Sequence, residues 1–108
     1  RFRMYPNNNN PNLEKGNTGL STGYILEAYQ YVGKNNTAMD HLNSSILLNL
    51  DYDGNFSALR RLNVVSFSRY DNYSGKWISV KQTNDNEQMA IGDYIDRLGQ
   101  YMVIGSRR

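Results

Sequence analysis

The stretch from Ser45 to Tyr52 reads SILLNLDY, and its alternation decides the fold. In an extended chain successive side chains point to opposite faces, so Ile46, Leu48, Leu50 and Tyr52 face one way while Leu47, Asn49 and Asp51 face the other. We expect the first set to lie in a core. The same period of two recurs on either side of this segment. Upstream, Thr22 to Val32 sets Tyr24, Leu26 and Ala28 against Ile25, Glu27 and Tyr29. Downstream, Leu62 to Tyr70 holds Val65 and Phe67 on one face and Leu62 and Val64 on the other. Lys76 to Gln82 alternates Ile78 and Val80 with Trp77 and Ser79. Gln88 to Ile95 presents Met89, Ile91 and Ile95, and Gln100 to Gly105 presents Tyr101 and Val103 opposite Met102 and Ile104.

The connections carry turn chemistry. Asp71-Asn72-Tyr73-Ser74-Gly75 offers an Asx-type hydrogen bond at its start and a glycine free to take positive φ at its end, which predicts a hairpin. Asp96-Arg97-Leu98-Gly99 predicts a tight corner with Gly99 in a left-handed conformation. Short strands spaced about ten residues apart, joined by Gly, Asn and Asp, predict an all-β sandwich of about six to seven strands. Two stretches read as helical turns. One is Asn55 to Arg61, with Phe56 and Leu59 at helical spacing and Asn55 as a cap; the other is Thr37 to Leu42, ended by Asn43-Ser44.

Length bounds the rest. A chain of 108 residues makes one domain with one core. Residues 1–19 carry both prolines, the asparagine run Asn7 to Asn10 and little periodicity, so they read as an extended arm or linker, with the sandwich at residues 20–108. Phe2, Met4 and Tyr5 are the arm residues able to dock, and Phe2 and Met4 alternate like a short edge strand. The chain starts at Arg1 rather than Met, which leads us to expect a processed product or a piece of something longer.

The net charge is +2 and the basic residues are scattered, which argues against nucleic acid as a partner. No apolar run approaches the length of a membrane span, so direct membrane insertion is not expected. Without cysteine there is no disulfide framework, thiolate nucleophile or thiolate metal site. Nine tyrosines suit a wet β surface, since each offers an apolar ring with a polar tip.

The second half shows a recognisable pattern: LNLDYDG, then SRYDNYSGKWISV, then MAIGDYIDRLGQYMVIG. It resembles immunoglobulin-like β-sandwich modules of bacterial surface and secreted proteins, and is similar also to the β-sandwich domains of ankyrins and netrin receptors. The matching positions are Tyr70, Asp71, Gly75, Trp77, Leu98, Gly99, Tyr101 and Val103, within a resemblance spanning about Tyr24 to Gly105. These are packing and turn positions, so the resemblance implies a fold and an extracellular or cell-surface setting and carries no catalytic residue across. The Asn55 to Arg61 insertion and the Asn-rich arm depart from the pattern.

Candidate chemistry is sparse. His41 beside Asp40 lacks any nucleophile-elbow pattern and reads as a solvent-exposed loop histidine. Asp51, Asp53 and Asn55 begin like a calcium loop but meet Phe56 and Leu62 where the EF-hand pattern wants glycine and glutamate; Asn84 to Glu87 is a second acidic loop. Glu27, Glu87, Asp93 and Asp96 have no spacing that selects a glycosidase pair. Lys34 is the candidate for an isopeptide bond, which would need a buried asparagine and an acid beside it. Sequons fall at Asn35, Asn43, Asn55 and Asn72, all in expected loops or turns. Trp77 with Tyr70, Tyr73 and Tyr29 either forms an outward aromatic platform for a glycan or sends Trp77 between the sheets.

These readings predict a non-enzymatic structural or adhesive module needing no cofactor or metal. Its expected partner is protein, either itself or a larger assembly, met through Phe2, Met4, Tyr5, Tyr29, Tyr70, Tyr73 and Trp77. A carbohydrate-binding module built around Trp77 is the alternative.

Overall fold

The computed structural model describes residues 2–7, 13–52, 64–83 and 90–106. Within them the chain is all β, in antiparallel strands with no helix. The strands are β1 (Phe2–Asn7), β2 (Thr18–Gly19), β3 (Gly23–Val32), β4 (Asn35–Ala38), β5 (His41–Asp51), β6 (Val64–Asp71), β7 (Lys76–Thr83), β8 (Ala90–Arg97) and β9 (Gly99–Ser106). The larger sheet runs β1-β3-β9-β6-β7, with β2 alongside β9 and β4 alongside β3; the smaller sheet is the pair β5-β8.

The alternation places the core as expected. Leu26, Ala28, Val65, Phe67, Tyr101 and Val103 project from the large sheet and pack against Leu48, Leu50, Ile91 and Ile95 of the small one, with Tyr24 and Ile46 at the margin. Phe67 and Tyr101, diagonal neighbours two residues off direct cross-strand register, stack with ring centroids 5.3 Å apart. Offset aromatic pairs of this kind add to the area they bury.

Two of the crossings between the sheets fall entirely among the described residues, and they lie side by side. Met39 N–H donates to Ala28 O at 2.9 Å as the chain leaves β4, and Leu98 N–H donates to Asp40 O at 3.0 Å as it leaves β8. Gly99, at φ 130, makes the bend that a side chain would resist. Tyr101 then fixes the corner by donating its hydroxyl hydrogen to Arg97 O at 2.6 Å. The β6–β7 hairpin forms as its sequence predicts: Tyr73 N–H reaches Asp71 Oδ1, Gly75 N–H reaches Asp71 O, and Gly75 has φ 69.

Several expectations are corrected. The segment Thr37 to Leu42 is not helical; it ends β4, crosses between sheets and begins β5. Pairing with β3 and β8 supplies partners to its backbone that a short helix in a polar stretch could not match. Asn35 and Asn43 therefore stand on strands rather than in loops, both exposed, while Asn72 is in the hairpin turn. Phe2–Asn7, by contrast, is the edge strand that the alternation of Phe2 and Met4 suggests, paired along its length with β3 from Phe2 against Ala28 to Asn7 against Gly23. The expected helical turn at residues 55–61, Met89 and the acidic loop at residues 84–87 lie outside the described residues.

The outer face of the large sheet is also buried in its middle, which alternation alone did not indicate. Val64, Ser66, Ser68, Met102 and Ile104 are all buried there. A side chain on Gly19 would meet Met102 Sδ and Leu13 Cδ1, so the segment before β2 lies over this face. The buried hydroxyls bond to one another: Ser66 Oγ is 2.7 Å from Ser68 Oγ and 2.7 Å from Ser79 Oγ. That network spares them the cost of unsatisfied burial.

Candidate functional site

The seven expected interaction residues do not converge on one site. Strand register sorts them into three places. Phe2 and Met4 stand on the inner face of β1, level with core residues Ala28 and Leu26, yet are 48% and 43% exposed. The small sheet has only two strands against a path of five in the large one, so it leaves that margin uncovered.

Tyr5 and Tyr29 lie on the outer face and share a carboxylate. Tyr5 donates to Glu27 Oε1 at 2.5 Å and Tyr29 to Glu27 Oε2 at 3.2 Å. The Arg3 guanidinium sits 5.4 Å from the Tyr5 ring centroid, within cation–π range. The hydrogen bond to Glu27 raises the Tyr5 hydroxyl above its ordinary value, aided by desolvation and by the charge of Glu27. The spacing Arg3, Tyr5 across from Glu27 places all three on one face, but only the pairing of β1 with β3 brings them into contact.

Tyr70, Tyr73 and Trp77 belong to the far end of the sheet. Tyr70 and Trp77 are cross-strand partners on the outer face, with ring centroids 5.4 Å apart and planes at 66°. Trp77 therefore does not pack between the sheets: it shares a side with Ser66 and Ser68, opposite Phe67. It is half-buried, and among the described residues its indole N–H is enclosed without a hydrogen-bond partner. Tyr73, at the hairpin tip, is 99% exposed. Four inter-strand spacings, about 19 Å, separate the Tyr5 edge from the Trp77 edge.

Two juxtapositions are not legible in the sequence. Leu47 and Tyr94 are direct cross-strand partners on the outer face of the small sheet, 55% and 66% exposed. At the sheet crossing, Asp40, His41, Asp96 and Arg97 line a polar cleft of about 360 Å³. His41 Nδ1 lies 2.8 Å from Asp40 Oδ1, and that contact, with the aspartate's own backbone, holds the Asp40 carboxyl below the usual range. Both groups are largely exposed. The pair needs no structure to be guessed from adjacency; Asp96 and Arg97 join it only because β8 pairs with β5.

No cluster of three or more metal-ligating side chains occurs among the described residues, and Asp53 and Asn55 of the calcium-like turn lie outside them. No helix of the described residues is long and apolar enough to cross a membrane. No family model, curated protein or solved structure matches the chain. The sandwich is thus the one class that the geometry defines, an all-β antiparallel module.

Proposed function

We propose that this chain is a non-catalytic structural or adhesive module of an extracellular or cell-surface assembly, meeting other protein through its sheet edges. The observation that carries the reading is the exposure of apolar side chains on both edge strands of the large sheet: Phe2 and Met4 on β1, Ile78 and Val80 on β7. Apolar side chains left exposed on edge strands either meet a partner or are an aggregation hazard, even where the backbone of the edge is guarded. The immunoglobulin-like resemblance supports the same setting. Native mass measurement and size exclusion across concentration test it: self-association or capture of a partner segment is expected. A strict monomer that binds nothing through its edges would count against it.

The carbohydrate reading draws less support. A sugar-stacking platform needs exposed, roughly coplanar rings, whereas Tyr70 and Trp77 meet edge to face with Trp77 half-buried. A glycan array showing a signal that Trp77→Ala abolishes would reverse this preference.

A further inference from the structure

We infer that the edge of β5 opposite β8, unpaired among the described residues, is a strand-addition site for an extended segment of another protein chain bearing apolar side chains at alternate positions. The inference rests on the edge-mediated reading above and names the edge and the chemistry of its occupant. Three observations converge on it.

The first is where the small sheet sits. Strand β8 packs towards β6 and β7, so β5 is the strand nearer β3 and β1. A third strand added beyond β5 would lie over the inner face of β1, where Phe2 and Met4 are exposed beside the buried Ala28 and Leu26.

The second is the direction of the backbone groups. Tyr94 N–H bonds to Asp93 Oδ1 at 2.8 Å and so points away from β5, making Tyr94 and its partner Leu47 a non-hydrogen-bonded pair. In an antiparallel ladder the N–H and C=O of Leu47, and of Asn49 two residues on, then point outward to that edge. Such a row selects another backbone rather than a helix or a sugar.

The third is what guards β1, β7 and β8. Pro6 deprives β1 of a donor, Asp93 faces inward on β8 and occupies the Tyr94 amide, and β7 carries a register shift opposite Phe67/Ser68 with Lys81 on its inner side. Each is a recognised device against edge pairing. Ile46 to Asp51 keeps unbroken register with β8 and contains no proline, lysine or inward charge.

The size of the gap favours a segment over a second globular copy. Six paired residues span about 20 Å, and one strand is about 5 Å wide, a footprint far below the roughly 800 Å² per partner that stable dimers bury. A whole second copy would also bring its own large sheet against β1.

The test uses the full chain with an alternating valine–lysine octapeptide as probe, and a proline-interrupted peptide of the same composition class as control. Amide hydrogen exchange and side-chain NMR shifts are read at each residue. Expected is saturable slowing of exchange at Leu47 and Asn49, shifts at Phe2 and Met4, and at least tenfold weaker binding by Met4→Lys, whose substituted side chain is exposed and leaves the core intact. Protection at β1, β4 or β7 alone would overturn the β5 assignment while the edge-mediated reading stands. Protection at no edge would overturn both.

Discussion

The Tyr101 hydroxyl donates to the carbonyl of Arg97, four residues back, across the bend that carries the chain from the small sheet to the large one. The ring is buried in the core, stacked on Phe67, while its tip ties down the corner whose flexible element is Gly99. One residue thus joins packing to topology. Burial pushes its ionisation up to about 12 from an ordinary 10.0, with Arg69 opposing.

Tyr101→Phe keeps the stacking and removes the bond, leaving the Arg97 carbonyl unsatisfied at a partly buried corner. A loss of about 1–2 kcal/mol is expected, read from urea midpoints near neutrality. Because the folded hydroxyl ionises later than an unfolded one, its neutral form contributes stability that is intact below pH 10 and is lost as pH rises towards about 12. The phenylalanine variant should show a shallower decline across that window. Equal alkaline slopes for the two proteins would refute this assignment.

Gly92 has no room for a side chain. A Cβ there would lie 1.9 Å from Leu48 O and 2.6 Å from Asn49 Cα, both backbone atoms of the neighbouring strand that cannot rotate aside. Gly92→Ala should therefore cost about 3 kcal/mol and loosen the β5-β8 pair. Thermal unfolding with a near-native midpoint would show that the strands part more easily than this packing implies.

Glu27 holds two tyrosine hydroxyls, and its bond to Tyr5 is the main reason that hydroxyl ionises late. In Glu27→Gln the charge disappears, and the Tyr5 titration should move down towards the ordinary tyrosine value. NMR titration of ring-labelled tyrosine reads it directly. The same variant should free β1 to exchange its amides faster, since the clasp is one of the links between β1 and β3.

Asp93 shares its side of β8 with Ile91 and Ile95, opposite Leu48, yet carries a charge and occupies the Tyr94 amide. Asp93→Val restores a continuous apolar strand with an open edge. Light scattering at rising concentration should then increase relative to the parent chain. Unchanged scattering would mean that β8 is shielded in some other way.

Much of this was legible in the sequence because strand periodicity is local. Residues Ile46, Leu48, Leu50 and Tyr52, or Val65 and Phe67, choose a side by alternation alone, and Asp71 with Gly75 or Leu98 with Gly99 sets a turn within a few bonds. Pairing is not local. The residues Asn35 to Ala38 have weak strand character, and Thr37 and Ala38 fall in a stretch that reads as helix; β3 recruits them by offering a ladder. Alternation likewise marks Met102 and Ile104 as the face opposite the core, and whether such a face is wet depends on what lies over it, here the segment carrying Leu13.

The interaction residues show the same division. Sequence could nominate Phe2, Met4, Tyr5, Tyr29, Tyr70, Tyr73 and Trp77 as aromatic or apolar surface candidates, because residue type is written in it. It could not say that Tyr5 and Tyr29 would spend their hydroxyls on Glu27, that Tyr70 and Trp77 would meet edge to face at the other side of the sheet, or that Ile46 to Asp51 would form an edge with no proline, lysine or inward charge. Composition and alternation determined an all-β chain with its core on the predicted faces. Strand order, set by contacts between residues far apart in the chain, decided which edges and faces are open among the described residues.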